Sequence, residues 1–408
     1  MKYLHIRDAR VIAPAQQLDD VCDLYLAEGQ LRAIGEKPAG GTIESTLDAQ
    51  GNWLVPGFID LSSYLNEPGY TQRGTIASET RAAAAAGFSH VCAQPLTRPV
   101  ADSPAVIQLM QDKASSAGYS RLLPLGALTQ GLEGEQLANM VSLRNAGCIA
   151  LSNARQPIKD SYVLRRLMEY AATYDILLFL SADDAALSNG GVMHEGPTAT
   201  RLGLAGIPET AETIALAQIL LLIEQTGVRA HISQISCARS VSMLREARQR
   251  GLQVSADVAI ANLCYTDAQV NGYDSRYHLL PSLRSEADRQ ALLAAVNAGE
   301  LAICSNHQPH EIVAKKAPFA ESAAGMALYA PFIGLLLQRV NDGELTLNAA
   351  LSALSTLPAA TLGLHSGFAE GQRFNASLIN PEQTDAYGRS GQVIATFVDG
   401  FKVYQQPS

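Results

Sequence analysis

The hydrophobic pattern of the chain changes character near residue 57. Three early segments alternate between apolar and polar positions, as half-buried β-strands do: 2–12, 21–35 and 43–55. The end of the chain has the same character, with Asp399-Gly400 as a hairpin-turn signal, and we predict two strands there. The segments 1–55 and 366–408 are therefore predicted to form one composite β-layer.

From residue 58 onward, strand patterns alternate with helix patterns. We predict eight apolar strands at 58–65, 90–95, 121–128, 148–153, 176–182, 230–236, 254–260 and 301–307. Helices are predicted between and after them at 75–87, 103–118, 133–147, 161–174, 209–227, 240–251, 285–299, 324–340 and 346–362. Most of the helices between the strands end at a glycine, which is typical of a helix C-cap. This alternation predicts an α/β fold, a (β/α)8 TIM barrel over 56–365.

In such a barrel the functional side chains lie at the C-terminal ends of the strands. The side chains predicted there are Ser62, Tyr64, Gln94, Leu96, Asn153, Ser181, His231, Gln234, Asn306, His307 and His310. The segments after the fifth and seventh strands, 183–208 and 261–284, are much longer than the usual two to six residues. We expect function to be concentrated at this rim.

Composition excludes several classes of function. The net charge is −9 and no basic stripe is present, which argues against nucleic-acid binding. No apolar run is long enough to span a membrane, and the first residues lack a secretory-signal pattern, so we expect a cytoplasmic protein. Six scattered cysteines without a CxxC pair are expected to be free thiols. Charged residues make up 17%, below the typical ~25%, which suggests that other subunits cover part of the surface.

Five stretches carry a resemblance to a known family: VPGFIDLSSYLNEPG (55–69), QPLTRP (94–99), SNGGVMHEGPTATRLGLAGIPETAE (188–212), PSLRSEADRQAL (281–292) and NHQPH (306–310). Through them the whole chain resembles the type I dihydroorotases of the amidohydrolase superfamily. That resemblance implies a metal-dependent (β/α)8 barrel flanked by a β-layer made from both chain ends. It agrees with the layout predicted from the hydrophobic pattern.

The chain departs from that family where the family binds metal and substrate. The family's first strand carries Asp-x-His-x-His-x-Arg, and its other ligands are a carboxylate on strand four, histidines on strands five and six, and an aspartate on strand eight. The corresponding former metal or catalytic positions here are Ser62, Tyr64, Asn153, Ser181, Gln234 and Asn306. The family's substrate-binding Arg and two Asn residues fall at Asn66, Leu96 and Leu280.

Hydroxyls and amides do not replace imidazoles and carboxylates as zinc ligands. Zinc in proteins binds thiolate, imidazole nitrogen or carboxylate oxygen at about 2.0–2.3 Å. Neutral amides also leave the charge of a divalent ion uncompensated. We therefore expect no metal, no cofactor and no catalytic residues, and we predict that the chain is not an enzyme.

Alternatives to a noncatalytic protein remain at this stage. His231, His307 and His310 are retained rim histidines of uncertain role, and together they could form a remnant metal site. A rim with Ser62, Ser181, Tyr64 and His231 could support an altered, metal-free reaction, although no base with an orienting partner is evident. A third alternative is a small-ligand sensor that uses the degenerate pocket.

The resemblance also implies a partner. Noncatalytic dihydroorotase-like chains are known as subunits of aspartate transcarbamoylase (aspartate carbamoyltransferase) complexes in certain bacteria. The implied role is a structural pseudoenzyme in pyrimidine biosynthesis, with six chains of each kind and dihydroorotase-like dimers bridging transcarbamoylase trimers. On this hypothesis the loop 183–208 and the β-layer face the partners.

Overall fold

Two large sheets account for most of the strands in the computed structural model, which describes residues 1–407. The strands are β1 (Lys2–Ala13), β2 (Leu18–Ala27), β3 (Gln30–Ile34), β4 (Thr42–Asp48), β5 (Trp53–Pro56), β6 (Phe58–Ser63), β7 (Phe88–Ala93), β8 (Arg121–Ala127), β9 (Ala150–Ser152), β10 (Leu178–Ser181), β11 (Met193–His194), β12 (Gly206–Ile207), β13 (Ala230–Ser233), β14 (Val254–Ala259), β15 (Ala302–Cys304), β16 (Ala376–Thr384), β17 (Ser390–Val398) and β18 (Phe401–Gln405). No helix among these residues is long and apolar enough to cross a lipid bilayer.

Fourteen α-helices and five short 3-10 helices lie between the strands of residues 1–407. The α-helices are α1 (Ile76–Ala85), α2 (Pro104–Ala117), α3 (Met140–Asn145), α4 (Ser161–Thr173), α5 (Ala185–Ser188), α6 (Pro197–Leu202), α7 (Glu209–Thr226), α8 (Ala238–Gln249), α9 (Ile260–Cys264), α10 (Glu286–Asn297), α11 (Ile312–Lys316), α12 (Phe332–Asn341), α13 (Leu347–Leu354) and α14 (Thr356–Leu362). Gly118 and Gly227 end α2 and α7 in the left-handed conformation, as predicted for C-caps.

The chain ends share one eight-stranded sheet, in the order β18-β17-β16-β5-β1-β2-β3 with β4 beside β1. This confirms the predicted β-layer built from both ends. The end of the chain forms three strands rather than the predicted two. The additional turn between β16 and β17 is held by Asp385, whose Oδ1 accepts the backbone N–H groups of Tyr387 and Arg389. The predicted Asp399-Gly400 turn joins β17 to β18.

The second large sheet is the barrel. Its eight strands pair in parallel in the order β6-β7-β8-β9-β10-β13-β14-β15, so neighbours in space follow one another along the chain. A parallel bridge between Ser63 and His307 brings the first strand to the residues that follow the last one. Each predicted barrel strand overlaps an observed one, and the predicted (β/α)8 architecture is confirmed. The C-terminal ends of these strands define the barrel mouth.

Three predicted helices are wrong in extent. The helix predicted over 133–147 is only α3, because the preceding residues bond to a neighbouring loop, with the Ala138 amide donating to the Leu128 carbonyl. The helix predicted over 324–340 is only α12, which starts after Pro331. The helix predicted over 346–362 is broken at Ser355 into α13 and α14.

Long segments at the mouth form a structured cap, which we call the roof: residues 183–208, 261–284 and 308–328. The first of them contains α5, α6 and the two-stranded sheet of β11 and β12. Apolar side chains from all three segments form a small core of their own: Met193, Ala199, Val270 and Phe319. The roof is therefore a packed part of the fold.

Candidate functional site

A fully buried carboxylate, Asp60, lies where the first and last barrel strands meet. Asp60, on β6, accepts hydrogen bonds from the backbone N–H of Ser62 at 3.3 Å and of Ser305 at 2.9 Å. It also accepts from the Tyr329 hydroxyl at 2.8 Å and from the Ser305 hydroxyl. Burial raises the pKa of Asp60 to about 6, although these donors act in the opposite direction. The carboxylate is thus surrounded by donors from its own chain.

Ser62, the first of the former ligand positions, belongs to a chain of polar contacts across the barrel. Gln94 Nε2 donates to Ser62 Oγ at 3.1 Å, and Ser152 Oγ donates to Gln94 Oε1 at 3.0 Å. The backbone N–H of Ala154 in turn donates to Ser152 Oγ at 3.0 Å. This network links β6, β7 and β9 through neutral groups. Ser152 was not among the predicted rim residues.

Tyr64 and Arg155 bring a phenol and a guanidinium to the same region. Tyr64 is buried, and desolvation raises the pKa of its hydroxyl to about 12, with the Arg155 charge opposing the shift. The phenol is therefore protonated at neutral pH. Arg155 has a φ of 64° and follows Ala154 with a φ of 47°, two consecutive residues in the left-handed region that disfavours side chains. Its guanidinium lies 3.6 Å from Asp183 at the start of the roof.

The two asparagines at former carboxylate positions are tied to the surrounding main chain. Asn153 donates from Nδ2 to the Gln156 carbonyl at 2.8 Å and accepts from the Thr129 hydroxyl at 3.1 Å. Asn306 donates from Nδ2 to the Leu280 carbonyl at 3.0 Å. An amide can make these bonds to carbonyl oxygens, whereas an ionised carboxylate is only an acceptor. Asn153 therefore uses both atoms of its amide, whereas Asn306 uses Nδ2 alone and its Oδ1 is buried without a hydrogen-bond partner among residues 1–407.

His231 is fully buried between two strands. Its Nδ1 lies 2.8 Å from Ser255 Oγ, and its Nε2 lies 3.1 Å from Asp257 Oδ2. Both ring nitrogens thus face side chains of β14, and the imidazole has no solvent-exposed edge. Gln234 shares Asp257, with its Nε2 at 3.3 Å from Oδ1.

The other two rim histidines, His307 and His310, contact other parts of the chain. His307 Nδ1 accepts the backbone N–H groups of 328–329, and its Nε2 lies 2.7 Å from a Glu79 carboxylate oxygen. His310 Nε2 lies 2.8 Å from the Ala324 carbonyl. Each of the three predicted histidines has its own partners. The structure does not bring them together as ligands of one ion.

The remaining predicted residues do not build a site for an anion. Asn66, in place of the family's arginine, has a φ of 62° and donates from Nδ2 to the Tyr64 carbonyl at 3.3 Å. Leu96 and Leu280 are half-buried apolar side chains, and Ser181 is half-buried at the end of β10. Position 66 is turned back onto its own loop and offers no positive charge.

The side chains at the former ligand positions do not suit a divalent metal ion. Zinc requires imidazole, thiolate or carboxylate ligands with free lone pairs. At the former ligand positions the side chains are protonated hydroxyls and amides. Within residues 1–407, no group of three or more His, Cys, Asp or Glu side chains is arranged to hold an ion. The six cysteines are free and half-buried or buried, as predicted, and none belongs to such a group.

Positive charge at the roof comes from arginines. Arg284 is almost fully buried and donates from Nη1 to the Ile207 carbonyl at 2.9 Å, with His194 Nδ1 at 3.3 Å from the same nitrogen. Its Nε donates to Ser236 Oγ at 3.0 Å. Together with the Arg155–Asp183 pair, these bonds fix both ends of residues 183–208. Sequence reasoning missed Arg155 and Arg284, although their arginine identity in loops at the mouth was a visible signal.

A family model and sequence relatives match this chain. The model described as "Dihydro-orotase-like" matches residues 51–240. A "dihydroorotase-like protein" of Pseudomonas aeruginosa is 46% identical, and the match covers 98% of this chain and 99% of the relative. A protein of the same description from Pseudomonas putida is 47% identical over 89% of this chain and 86% of its own. A "dihydroorotase" of Anaeromyxobacter dehalogenans is 38% identical over 89% of this chain and 85% of its own.

Solved structures match the fold. The L-hydantoinase (dihydropyrimidinase) of Arthrobacter aurescens superimposes with a TM-score of 0.85 over 100% of this chain and 97% of that chain. The two are 18% identical in sequence, so this likeness concerns the fold alone. It supports the fold of a barrel with a flanking sheet.

The Arg155–Asp183 pair makes a testable prediction about the roof. Arg155→Ala should remove the pair and loosen the start of residues 183–208, because no other cation is bonded to Asp183 in residues 1–407. A loss of up to about 1 kcal/mol corresponds to about fivefold faster amide exchange there. Hydrogen exchange with mass spectrometry measures this. Arg165→Ala, which removes an exposed pair with Glu169 on α4, is the matched control and should leave the roof unchanged. Equal exchange in both variants would contradict the role of Arg155.

The Asp60 network predicts a pH-dependent effect of Tyr329→Phe. Because the folded-state pKa of Asp60 is raised to about 6, its ionisation destabilises the fold as pH rises from about 4 through 6. Removing a donor to the carboxylate raises that pKa further, so the variant should lose about 1.5–3 kcal/mol at pH 8 and less at pH 5. Urea denaturation at both pH values measures the difference. Tyr64→Phe should show the same loss at both, and a pH-independent Tyr329→Phe loss would be inconsistent with this network.

Proposed function

The chain belongs to the dihydroorotase-like family, and on that premise we propose that it is a noncatalytic member that serves as an assembly subunit of aspartate transcarbamoylase. In this role it contributes to de novo pyrimidine synthesis by holding the transcarbamoylase chains in an active complex. It performs no turnover of its own. The partner is proposed on the family resemblance described above.

The observation that carries the noncatalytic assignment is the donor set of the mouth. Asn153 and Asn306 replace carboxylates and bond to carbonyl oxygens of their own chain. Ser62 accepts from Gln94 within a neutral network. Changing one ligand would weaken a metal site, whereas the joint replacement of six leaves no site of the kind that zinc prefers.

A metal-free reaction also lacks the necessary groups. Hydrolysis needs a base within hydrogen-bonding reach of the group it deprotonates. Asp60 is surrounded by four donors, and the Tyr64 phenol holds its proton because its pKa is raised to about 12. His231 is fully buried, with its two ring nitrogens facing Ser255 and Asp257. These contacts support a structural role for the mouth.

Exposed apolar side chains on the outer surface support the proposed role as a subunit of an assembly. Helix α7 is apolar on most of its faces, yet it lies on the outside of the barrel with Ile214 51% and Leu221 62% exposed. A helix that is hydrophobic all round is normally buried. Together with the low charge content, this favours a chain whose surface is covered by other subunits. Dimers of the barrel that bridge transcarbamoylase trimers would provide such cover.

The proposed partnership is tested by co-expression with the aspartate transcarbamoylase catalytic chain of the same organism. Size-exclusion chromatography with light scattering should give one large species that contains both chains in equal number. Transcarbamoylase activity should be higher in that species than in the catalytic chain alone. Two independent peaks, each with one kind of chain, would contradict the assembly role.

The position of the interface can be tested in the same experiment. Leu187 lies in the roof segment 183–208 and is 37% exposed, so Leu187→Glu should weaken the mixed complex if this segment faces the partner. Leu109→Glu, at a 42% exposed position on α2, is the control and should leave the complex intact. A complex that is insensitive to Leu187→Glu would place the interface elsewhere.

A further inference from the structure

A cavity lies at the end of the barrel opposite the mouth. It has a volume of about 490 Å³ and opens among the first residues of β13, β14 and β15, with α14 along one side. Small-molecule sites usually have volumes of about 300–1,000 Å³. Apolar side chains that line it are Leu177, Leu252, Val254, Ala256, Ala302 and Leu357. We call it the bottom pocket.

Arg248 brings a positively charged side chain with unused hydrogen-bond donors to this pocket. Its Nε donates to the Val254 carbonyl at 3.1 Å, which fixes the orientation of the guanidinium. Within residues 1–407, its two terminal nitrogens have neither a salt-bridge partner nor another hydrogen-bond acceptor. Burial lowers the pKa of Arg248 from its usual value, but a guanidinium remains protonated in proteins. The pocket thus contains a fixed cation with several unused donors.

One carboxylate, that of Glu300, also lines the pocket, and both Glu300 and the nearby Asp175 are already paired with other arginines. Glu300 is held by Arg245 through two bonds of 2.8 Å, from Nε to Oε1 and from Nη2 to Oε2. Asp175 accepts from Arg229 Nε at 2.8 Å. With Arg245 and Arg229 paired in this way, the charge of Arg248 is in excess. The terminal nitrogens of Arg229, which also lines the pocket, remain as further donors.

We propose that the bottom pocket binds a small organic anion. The carboxylate or phosphate head contacts Arg248, with Arg229 beside it, because a guanidinium presents paired N–H donors that match two oxygens of either group. The apolar body of the ligand packs on Leu177, Leu252 and Leu357. The site is independent of the mouth and of the proposed assembly role.

Isothermal titration calorimetry on the purified full chain tests the proposal with five probes. Hexanoate and phenyl phosphate each combine an anionic head with an apolar body. Acetate and inorganic phosphate keep only the head, and hexanamide keeps only the body. Hexanoate, phenyl phosphate or both should bind more tightly than the matched head and than hexanamide, and the stronger of the two identifies the head group. Absence of binding by both at millimolar concentration would overturn the proposal.

Two variants locate the binding. Arg248→Gln should weaken the better probe at least about tenfold, because it removes the charge that pairs with the head. Arg250→Gln is the control, since Arg250 follows the same helix but lies outside the pocket and 3.7 Å from Glu224. Ala360→Leu, at an exposed position of α14 that lines the pocket, should also weaken binding by filling it. Binding that is unchanged in both Arg248→Gln and Ala360→Leu would contradict the assignment.

Discussion

The burial of Asp60 is the constraint on which the barrel mouth depends, because a carboxylate removed from solvent must be hydrogen-bonded by its own chain. Asp60 is fully buried and accepts hydrogen bonds from Ser62, Ser305 and Tyr329. A carboxylate left unpaired at this depth would be strongly destabilising. The first strand of the barrel, β6, is thus joined to the residues after the last strand, β15, through the hydrogen-bonded carboxylate of Asp60.

The same constraint explains why amides and hydroxyls are suited to the former ligand positions. Without a divalent ion, additional carboxylates beside Asp60 and Asp257 would repel one another in a region of low dielectric. Asn153 and Asn306 carry no charge and donate to carbonyl oxygens that would otherwise lack these partners. The roof is held by arginines of the chain itself. The mouth is therefore held together by contacts within its own chain.

The architecture was predictable because its signals are local and periodic. Eight apolar strands separated by helical patterns specify a barrel almost regardless of side-chain detail. The helix predicted over 133–147 is wrong for a physical reason, since bonds such as that from the Ala138 amide to the Leu128 carbonyl depend on another loop of the chain.

The candidate site was also predictable only in part. Residue identities predicted which ligands of the family are replaced, whereas partners such as Glu79 for His307 or Asp183 for Arg155 depend on tertiary structure. Ser255 and Asp257 are two residues apart on β14, so their side chains lie on one face of the strand, and this spacing indicated a shared neighbour such as His231.

The metal content of the chain tests the central claim most directly. The protein would be produced in zinc-supplemented medium, purified without chelator, and analysed by mass spectrometry of its metals, with a catalytically active dihydroorotase relative treated in parallel. The account predicts that the relative retains zinc while this chain contains far less than one ion per molecule. One or two zinc ions per chain in the same measurement would contradict it.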